Sequence, residues 1–361
     1  MGMRIGILFP PFFKITDASH RLYGGLEIRT RELALRLRDD GHEVIIFAPE
    51  GSKLKGIEVV SNHPTWDPSQ RTSPYDLEKK QVLDNLEILD TCDFVIDDTH
   101  FKYFHYLKCL AHRQEQECPE CLFSWDFQPA IESFPHDVSF TVIAVSKHIM
   151  SALRRKDPKG IHRFRYAYPF VARLYEDYSP SEGDRKTILF LARFSTVKGP
   201  QFVVQLARDF PAYHFVMVGD VLFTQEPHVG QACLEASEEL ESLEVHFNVT
   251  WQEKIKYLQE AGSLIAPHIW PEPFGLQMTE ALIFGKPVLA TGIGGAQEIV
   301  NRHTGMLIPP QQDFYRAVKS IFKQFIKKKF NPDICHERAK SLDFNRNGYK
   351  IYLEEIKRAT V

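Results

Sequence analysis

Short runs of β-branched and aromatic residues alternate with longer amphipathic stretches, and this alternation occurs twice, separated by one break. In the first half the strand-like runs are Arg4–Phe9 (RIGILF), His42–Phe47 (HEVIIF), Gly56–Val60, Asp93–Ile96 and Thr141–Val145. Between them, Glu27–Arg38 sets Ile28, Leu33, Leu35 and Leu37 roughly on one helical face with arginines around the rest; Leu77–Leu89 and Ser146–Arg155 read as further helices. Strand–helix alternation of this kind predicts parallel sheets with helices on both faces. Leu174–Lys186 (LYEDYSPSEGDRK) is polar and turn-rich, lacks apolar periodicity, and reads as an interdomain linker. The alternation then resumes with strands at Thr187–Ala192, Tyr213–Gly219, Leu243–Phe247, Ser263–Pro267, Lys286–Thr291 and Gly305–Pro309. Helices are predicted near Pro200–Asp209, Trp251–Ala261, Leu276–Phe284 and Asp313–Lys328, with a closing helix at Asn345–Lys357.

The 361 residues exceed one ordinary hydrophobic core and suit two α/β domains. The expected organisation is an N-terminal Rossmann-like domain over 1–173, a linker over 174–186, a second Rossmann-like domain over 187–342 and a tail over 343–361. Ligands of such sheets sit beyond the carboxyl ends of the strands, so the cleft between the domains is the expected site. Hydrophobic residues at 43% and charged residues at 25% fit a water-soluble globular chain, and a net charge of -3 argues against a general nucleic-acid binder. The opening MGMRIGILF lacks the pattern of a signal peptide, and no apolar run approaches the ~20 residues that span a bilayer, so the expected compartment is the cytoplasm. Phe322–Phe330 (FKQFIKKKF) is basic with interleaved aromatics; it reads either as a solvated helix face or as a weak peripheral membrane contact. The six cysteines are too sparse for a disulfide scaffold. Cys109, His112, Cys118 and Cys121 bring four zinc-ligand types into one short segment, and whether they meet around a metal is left open.

Three stretches carry chemistry. In Ile269–Lys286 (IWPEPFGLQMTEALIFGK), Pro271 and Pro273 forbid helix around Glu272 and present its carboxylate from a loop. Gly275 allows a tight turn into a helix whose first N–H groups, at Phe274, Gly275 and Leu276, suit an anion. Glu280 lies about one turn inside. Two acids framing a phosphate site suit the hydroxyls on either side of a pyrophosphate, because a carboxylate accepts two hydrogen bonds from a diol. In Leu191–Gly199 (LARFSTVKG), Arg193 follows a strand end and Lys198 opens the next helix, so two cations can neutralise a departing pyrophosphate. No D-x-D occurs in the chain, which removes the usual carboxylate pair for a divalent ion on a sugar nucleotide. In Tyr23–Glu27 (YGGLE), Gly24 and Gly25 allow backbone to approach a ligand at a helix N-terminus.

Together these residues resemble a GT-B glycosyltransferase, specifically the retaining family four (glycosyl transferases group 1), nearly end to end and most strongly over Thr187–Pro310 and the first fifty residues. The E-x7-E motif is met by Glu272 and Glu280, and Arg193 and Lys198 match the family's R…K pair with Ala192 in place of its glycine. Val218–Asp220, Gly285–Pro287, Gly294–Gly295 and Glu298 also match typical stretches. The resemblance implies a metal-independent, retaining transfer of a hexose-type sugar from a nucleotide-sugar donor to a sugar, lipid or small-molecule acceptor, with no cofactor. By the same resemblance Arg193 and Lys198 hold the donor phosphates, Glu280 the ribose hydroxyls and Glu272 the transferred sugar. The Phe274, Gly275 and Leu276 amides bind sugar hydroxyls or phosphate, Gly25 approaches the pyrophosphate, and the tail helix crosses back onto the N-terminal domain. On the acceptor side the pattern departs: a frequent histidine falls on Trp125, beside Asp126, and another falls near Asp98, with His100 two places on. Two other readings share these features, a nucleotide-sugar epimerase of the same fold and a non-catalytic nucleotide-sugar binder.

Overall fold

The computed structural model describes residues 2–18, 25–67, 73–99, 120–125, 141–157, 159–160, 162–221 and 226–359, with 120–125 described as a strand only. The chain divides into two compact units, Met1–Val171 with Phe344–Val361, and Ala172–Asp343. Each is a parallel α/β layer structure.

In the first unit the strands are β1 (Arg4–Leu8), β2 (Glu43–Pro49), β3 (Glu58–His63), β4 (Phe94–Asp97), β5 (Glu120–Trp125), β6 (Thr141–Ala144) and β7 (Arg163–Tyr166). They lie in the order β3-β2-β1-β4-β5-β6-β7, and every pairing is parallel. The central strands are buried on both faces, with Ile5, Ile7, Ile45, Ile46, Val95 and Ile96 fully enclosed. That is why they read as near-continuous apolar runs. Strand β7 (RFRY) escaped the sequence reading because only Phe164 of its four residues is buried.

The stretch expected as one helix over Leu77–Leu89 is two, Pro74–Leu83 and Leu86–Leu89. Asn85 interrupts it: its side-chain amide donates to the Gln81 carbonyl at 2.7 Å and to Asn62 at 3.2 Å, and it accepts from Asn62 in return at 3.0 Å. A short amide that bonds local backbone competes with the helical ladder. The chain's last helix, Tyr349–Ala359, belongs to this unit. Tyr352 is fully buried and accepts from Arg29 at 2.6 Å, Tyr349 donates to Asp40 at 2.7 Å, and the buried Glu355 pairs with Arg163 and Arg165 at 2.9 Å each.

The second unit holds β8 (Asp184–Leu191), β9 (His214–Gly219), β10 (Leu243–Phe247), β11 (Ala261–Ala266), β12 (Val288–Thr291) and β13 (Gly305–Ile308), ordered β10-β9-β8-β11-β12-β13 and all parallel. Two of its helices were not read from sequence. Pro227–Glu239 buries small residues, Gly230, Cys233 and Ala236, and so shows no large apolar stripe. Pro332–Lys340 follows an Asn331 cap that accepts from the N–H groups of Asp333 and Ile334. The stretch read as a linker contains more structure than expected: Ala172–Tyr175 is a 3-10 turn with Tyr175 buried, and β8 begins at Asp184.

In the basic-aromatic segment, Phe322 and Phe325 pack into the core of this unit while Lys323, Lys327, Lys328 and Lys329 are exposed. Packing of the unit's own core therefore accounts for these two aromatics. Among the described residues no helix is long and apolar enough to cross a membrane.

The strand order reverses between β8 and β11: the chain moves outward from β8 to β9 and β10, then returns to the other side of β8. A crevice at such a reversal, beyond the carboxyl ends of the two strands, is where open α/β sheets bind ligands. The loops there are 192–199 and 267–275, the two stretches singled out by sequence.

Candidate active site

The loop after β8 is pinned at both ends. The Ala192 N–H donates to Val218 at 3.1 Å and the Phe194 N–H to Asp220 at 3.1 Å, while the Phe194 ring is buried edge-on to Phe247 with centroids 5.0 Å apart. Thr196 gives its N–H and hydroxyl to Glu226, at 2.9 and 2.7 Å, and the Ile269 N–H joins the second loop to the Val197 carbonyl at 2.9 Å. Lys198 ends a 3-10 turn, Thr196–Lys198, and the helix expected to begin with it starts two residues later at Pro200. Between them Gly199 takes φ 80°, and a Cβ there would overlap the Pro267 carbonyl. Only a glycine lets the two loops lie this close. Ala192 stands where the resemblance places glycine, yet among the described residues Asn248 is the one non-glycine at positive φ, so this alanine carries no backbone strain.

Glu272 leaves the second loop between its two prolines and is 7% exposed. Its Oε2 accepts from the Lys198 ammonium at 2.6 Å and from the Trp270 indole N–H at 3.1 Å. The Lys198 ammonium also lies 5.2 Å from the Trp270 ring centroid. Burial alone would push the Glu272 carboxyl up, but the Lys198 charge, neighbouring His268 and these two hydrogen bonds outweigh it and hold the group below its ordinary value. His268, almost fully enclosed, is lowered by burial. Gly294 and Gly295 support this loop from β12's side: a Cβ on Gly294 would overlap the Glu272 backbone, one on Gly295 would overlap Phe274, and the Gly295 N–H donates to the Glu272 carbonyl at 2.6 Å.

Gly275, at φ 102°, turns the chain into the helix Leu276–Ile283. The first backbone bond of that turn runs from the Met278 N–H to the Gly275 carbonyl; the Gly275 and Leu276 N–H groups donate to no other described residue. One turn on, Glu280 is 8% exposed, and its Oε1 accepts from the Tyr175 hydroxyl at 2.6 Å and the Lys254 ammonium at 2.8 Å. Each acid of the pair thus has one oxygen held by two donors, Oε2 in Glu272 and Oε1 in Glu280.

Residues 174–340 match the family Glycosyl transferases group 1. D-rhamnosyltransferase WbpZ of Pseudomonas aeruginosa is 27% identical over 214 residues, covering 55% of this chain and 53% of that protein, so the chain spans about half the length of this relative. Sucrose-phosphate synthase from Thermosynechococcus elongatus superposes with a TM-score of 0.71 at 17% identity, over 99% of this chain and 98% of that one. The Anabaena protein Alr3699/HepE, solved with UDP and glucose, gives 0.68 at 17% identity, over 99% and 100%. The chain has the GT-B fold.

Of the residues predicted for the site, Lys198 and Glu272 meet directly, Glu280 follows on the adjoining helix, and Arg193 is half-buried in the Lys198 loop. Phe274 is buried beneath Gly295, and Leu276 opens the helix. Gly25 begins the helix Gly25–Asp39 of the first unit, and Trp125 ends β5. His100 and Asp126 lie outside the described residues, as do Cys109, His112 and Cys118. Among the described residues no cluster of three or more metal-ligating side chains occurs. Asp98, near which the resemblance places a histidine, is committed internally: it is 3% exposed, paired with Arg29 at 3.0 Å and accepting from Thr30 at 2.6 Å. Tyr175, Lys254 and Trp270 were not read as site residues. Trp270 carried a signal, two places before Glu272 within the most informative stretch; the other two are joined to Glu280 only by the fold.

Proposed function

We propose that the chain is a glycosyltransferase that moves a hexose-type sugar from a nucleoside diphosphate donor to an acceptor hydroxyl, retains the anomeric configuration and needs no divalent metal. One observation carries the reading: at the strand-order reversal, two carboxylates, Glu272 on the loop and Glu280 one turn into the following helix, each keep one oxygen clear of described donors, with two undonated backbone N–H groups between them in sequence. Glu280 takes the ribose diol and Glu272 the hydroxyls of the transferred sugar. Arg193 and Lys198 face the phosphates, and the Gly275 and Leu276 amides complete the anion site. The Anabaena protein of the same fold was solved with UDP and glucose, which supports a nucleoside diphosphate donor.

In the reaction the bond from the anomeric carbon to the phosphate oxygen breaks while the acceptor oxygen bonds the same face. The acceptor proton passes to a donor phosphate oxygen. Lys198 and Arg193 stabilise the charge that grows on the leaving pyrophosphate, the work a divalent ion does in enzymes that carry D-x-D. Lys198 is released to do so as donor phosphate competes with Glu272 for its ammonium. A thermal-shift screen against UDP-, GDP- and ADP-sugars tests the reading. The matching donor at about 100 times its dissociation constant stabilises the fold by about 2.7 kcal/mol. No shift with any sugar nucleotide contradicts it.

A further inference from the structure

Glu280 is held by more machinery than a helix carboxylate needs. Its two donors come from distant parts of the chain, Tyr175 at a separation of 105 residues and Lys254 at 26. Each donor is itself fixed. Tyr175 ends the turn Ala172–Tyr175 and packs between Trp251, 5.4 Å away, and Phe284, 5.8 Å away. Lys254 lies with its ammonium 4.3 Å from the Trp251 ring centroid. A capping box between Thr250 and Glu253 starts the helix Trp251–Glu260, and so sets Trp251 and Lys254 three apart on one face.

Lys286, buried and three residues past the Glu280 helix, ties both supports together. It donates to the Ser181 carbonyl and hydroxyl and to the Gln259 carbonyl, each at 2.9 Å. Ser181 follows Tyr175 in the chain, and Gln259 lies at the end of the Lys254 helix.

We propose that Tyr175 and Lys254 are positioning residues that lock Oε1 of Glu280 and leave Oε2 to accept both hydroxyls of a vicinal diol, making the site selective for ribonucleotide over deoxyribonucleotide donors. The proposal rests on the reading above that Glu280 meets the donor ribose. A carboxylate oxygen has two lone-pair sites. With Oε1 filled by two donors, the diol finds its acceptors on one fixed oxygen. A freely turning carboxylate would spend part of its binding strength on losing that freedom. Burial and the Glu280 charge raise the Tyr175 hydroxyl well above its ordinary value, so it keeps its proton and remains a donor.

The test is calorimetric titration of the full chain with UDP, GDP and ADP and with their 2′-deoxy counterparts. The wild type binds one ribonucleotide more tightly than its deoxy form by roughly 10- to 100-fold, the range of hydrogen bonds to a charged group. Tyr175→Phe and Lys254→Met weaken the ribonucleotide by about tenfold or more, leave the deoxy form nearly unchanged and so collapse the ratio. Lys254→Arg, which keeps the cation, recovers part of it. General loosening of the fold would weaken both nucleotides alike. An unchanged ratio in Tyr175→Phe, which keeps the ring and its packing, overturns the positioning role while the donor reading stands. A wild type that binds no nucleotide, or both forms equally, overturns the Glu280–ribose reading itself and this proposal with it.

Discussion

Replacing Lys198 by methionine keeps the volume of the stem and removes the cation from a pair whose side chains are 12% and 9% exposed and whose charged atoms are 2.6 Å apart. Glu272 is then buried with the Trp270 N–H as its remaining donor among the described residues. Breaking an enclosed ion pair from one side costs about 3–5 kcal/mol. For a domain of about 150–250 residues that lowers the melting temperature by about 6–20 °C. The pH dependence is diagnostic. In the wild type the folded Glu272 carboxyl lies below its ordinary value of 4.5, so its stabilisation is fully present above that value and is lost as pH falls through the lower folded one. In Lys198→Met burial, the largest influence, outweighs what remains from His268 and the Trp270 N–H, and the folded carboxyl rises above the unfolded one. Its relative stabilisation then exists below 4.5 and disappears as pH rises through the raised value. The gap between the two proteins therefore widens as pH rises, from the lowered wild-type value below 4.5 up to the raised value in the variant. Lys198→Met with Glu272→Gln recovers much of the loss, because no charge is left buried alone. Scanning calorimetry across this range is the assay. A Lys198→Met protein that melts with the wild type at every pH, or a double variant as unstable as the sum of the singles, refutes the reasoning.

Two further outcomes follow from the same geometry. Glu280→Gln raises donor KM by roughly 10- to 150-fold with little change in kcat, whereas Lys198→Ala lowers kcat by about 10²–10³; steady-state kinetics with one donor separates them, and a Lys198→Ala that changes KM alone makes Lys198 a binding residue. Gly294→Ala forces an alanine to φ 64° against the Glu272 backbone, costing about 1–3 kcal/mol, and lowers donor affinity, while Gly41→Ala, at φ 87° with nothing within 4 Å, leaves donor affinity intact in a binding titration.

The parallel sheets were legible because their central strands are enclosed on both faces and therefore spell apolar runs such as Val44–Phe47 and Phe215–Val218. Elements that bury little large apolar area were not: the helix Pro227–Glu239 packs through glycine, cysteine and alanine, and β7 through Phe164. In the site, local chain constraints wrote Glu272 between prolines and Glu280 beyond Gly275 into a short readable unit. Tyr175 and Lys254 left no such trace, because their relation to Glu280 exists only after β8, β11 and the helices between them have packed. The alanine at position 192 looked like a departure, yet its backbone needs no glycine. The acceptor-side departure at Asp98 has a physical meaning: the Arg29 charge and Thr30 hydroxyl hold that carboxylate inside the first unit.

The most direct measurement is the anomeric configuration of the sugar released when the donor identified by thermal shift is turned over with water as acceptor in excess EDTA, followed by proton NMR before mutarotation. Turnover is expected with the chelator present, with first release of the same anomer that the donor carries. First release of the opposite anomer, or turnover that appears only when Mg²⁺ or Mn²⁺ is restored, contradicts the proposed reaction.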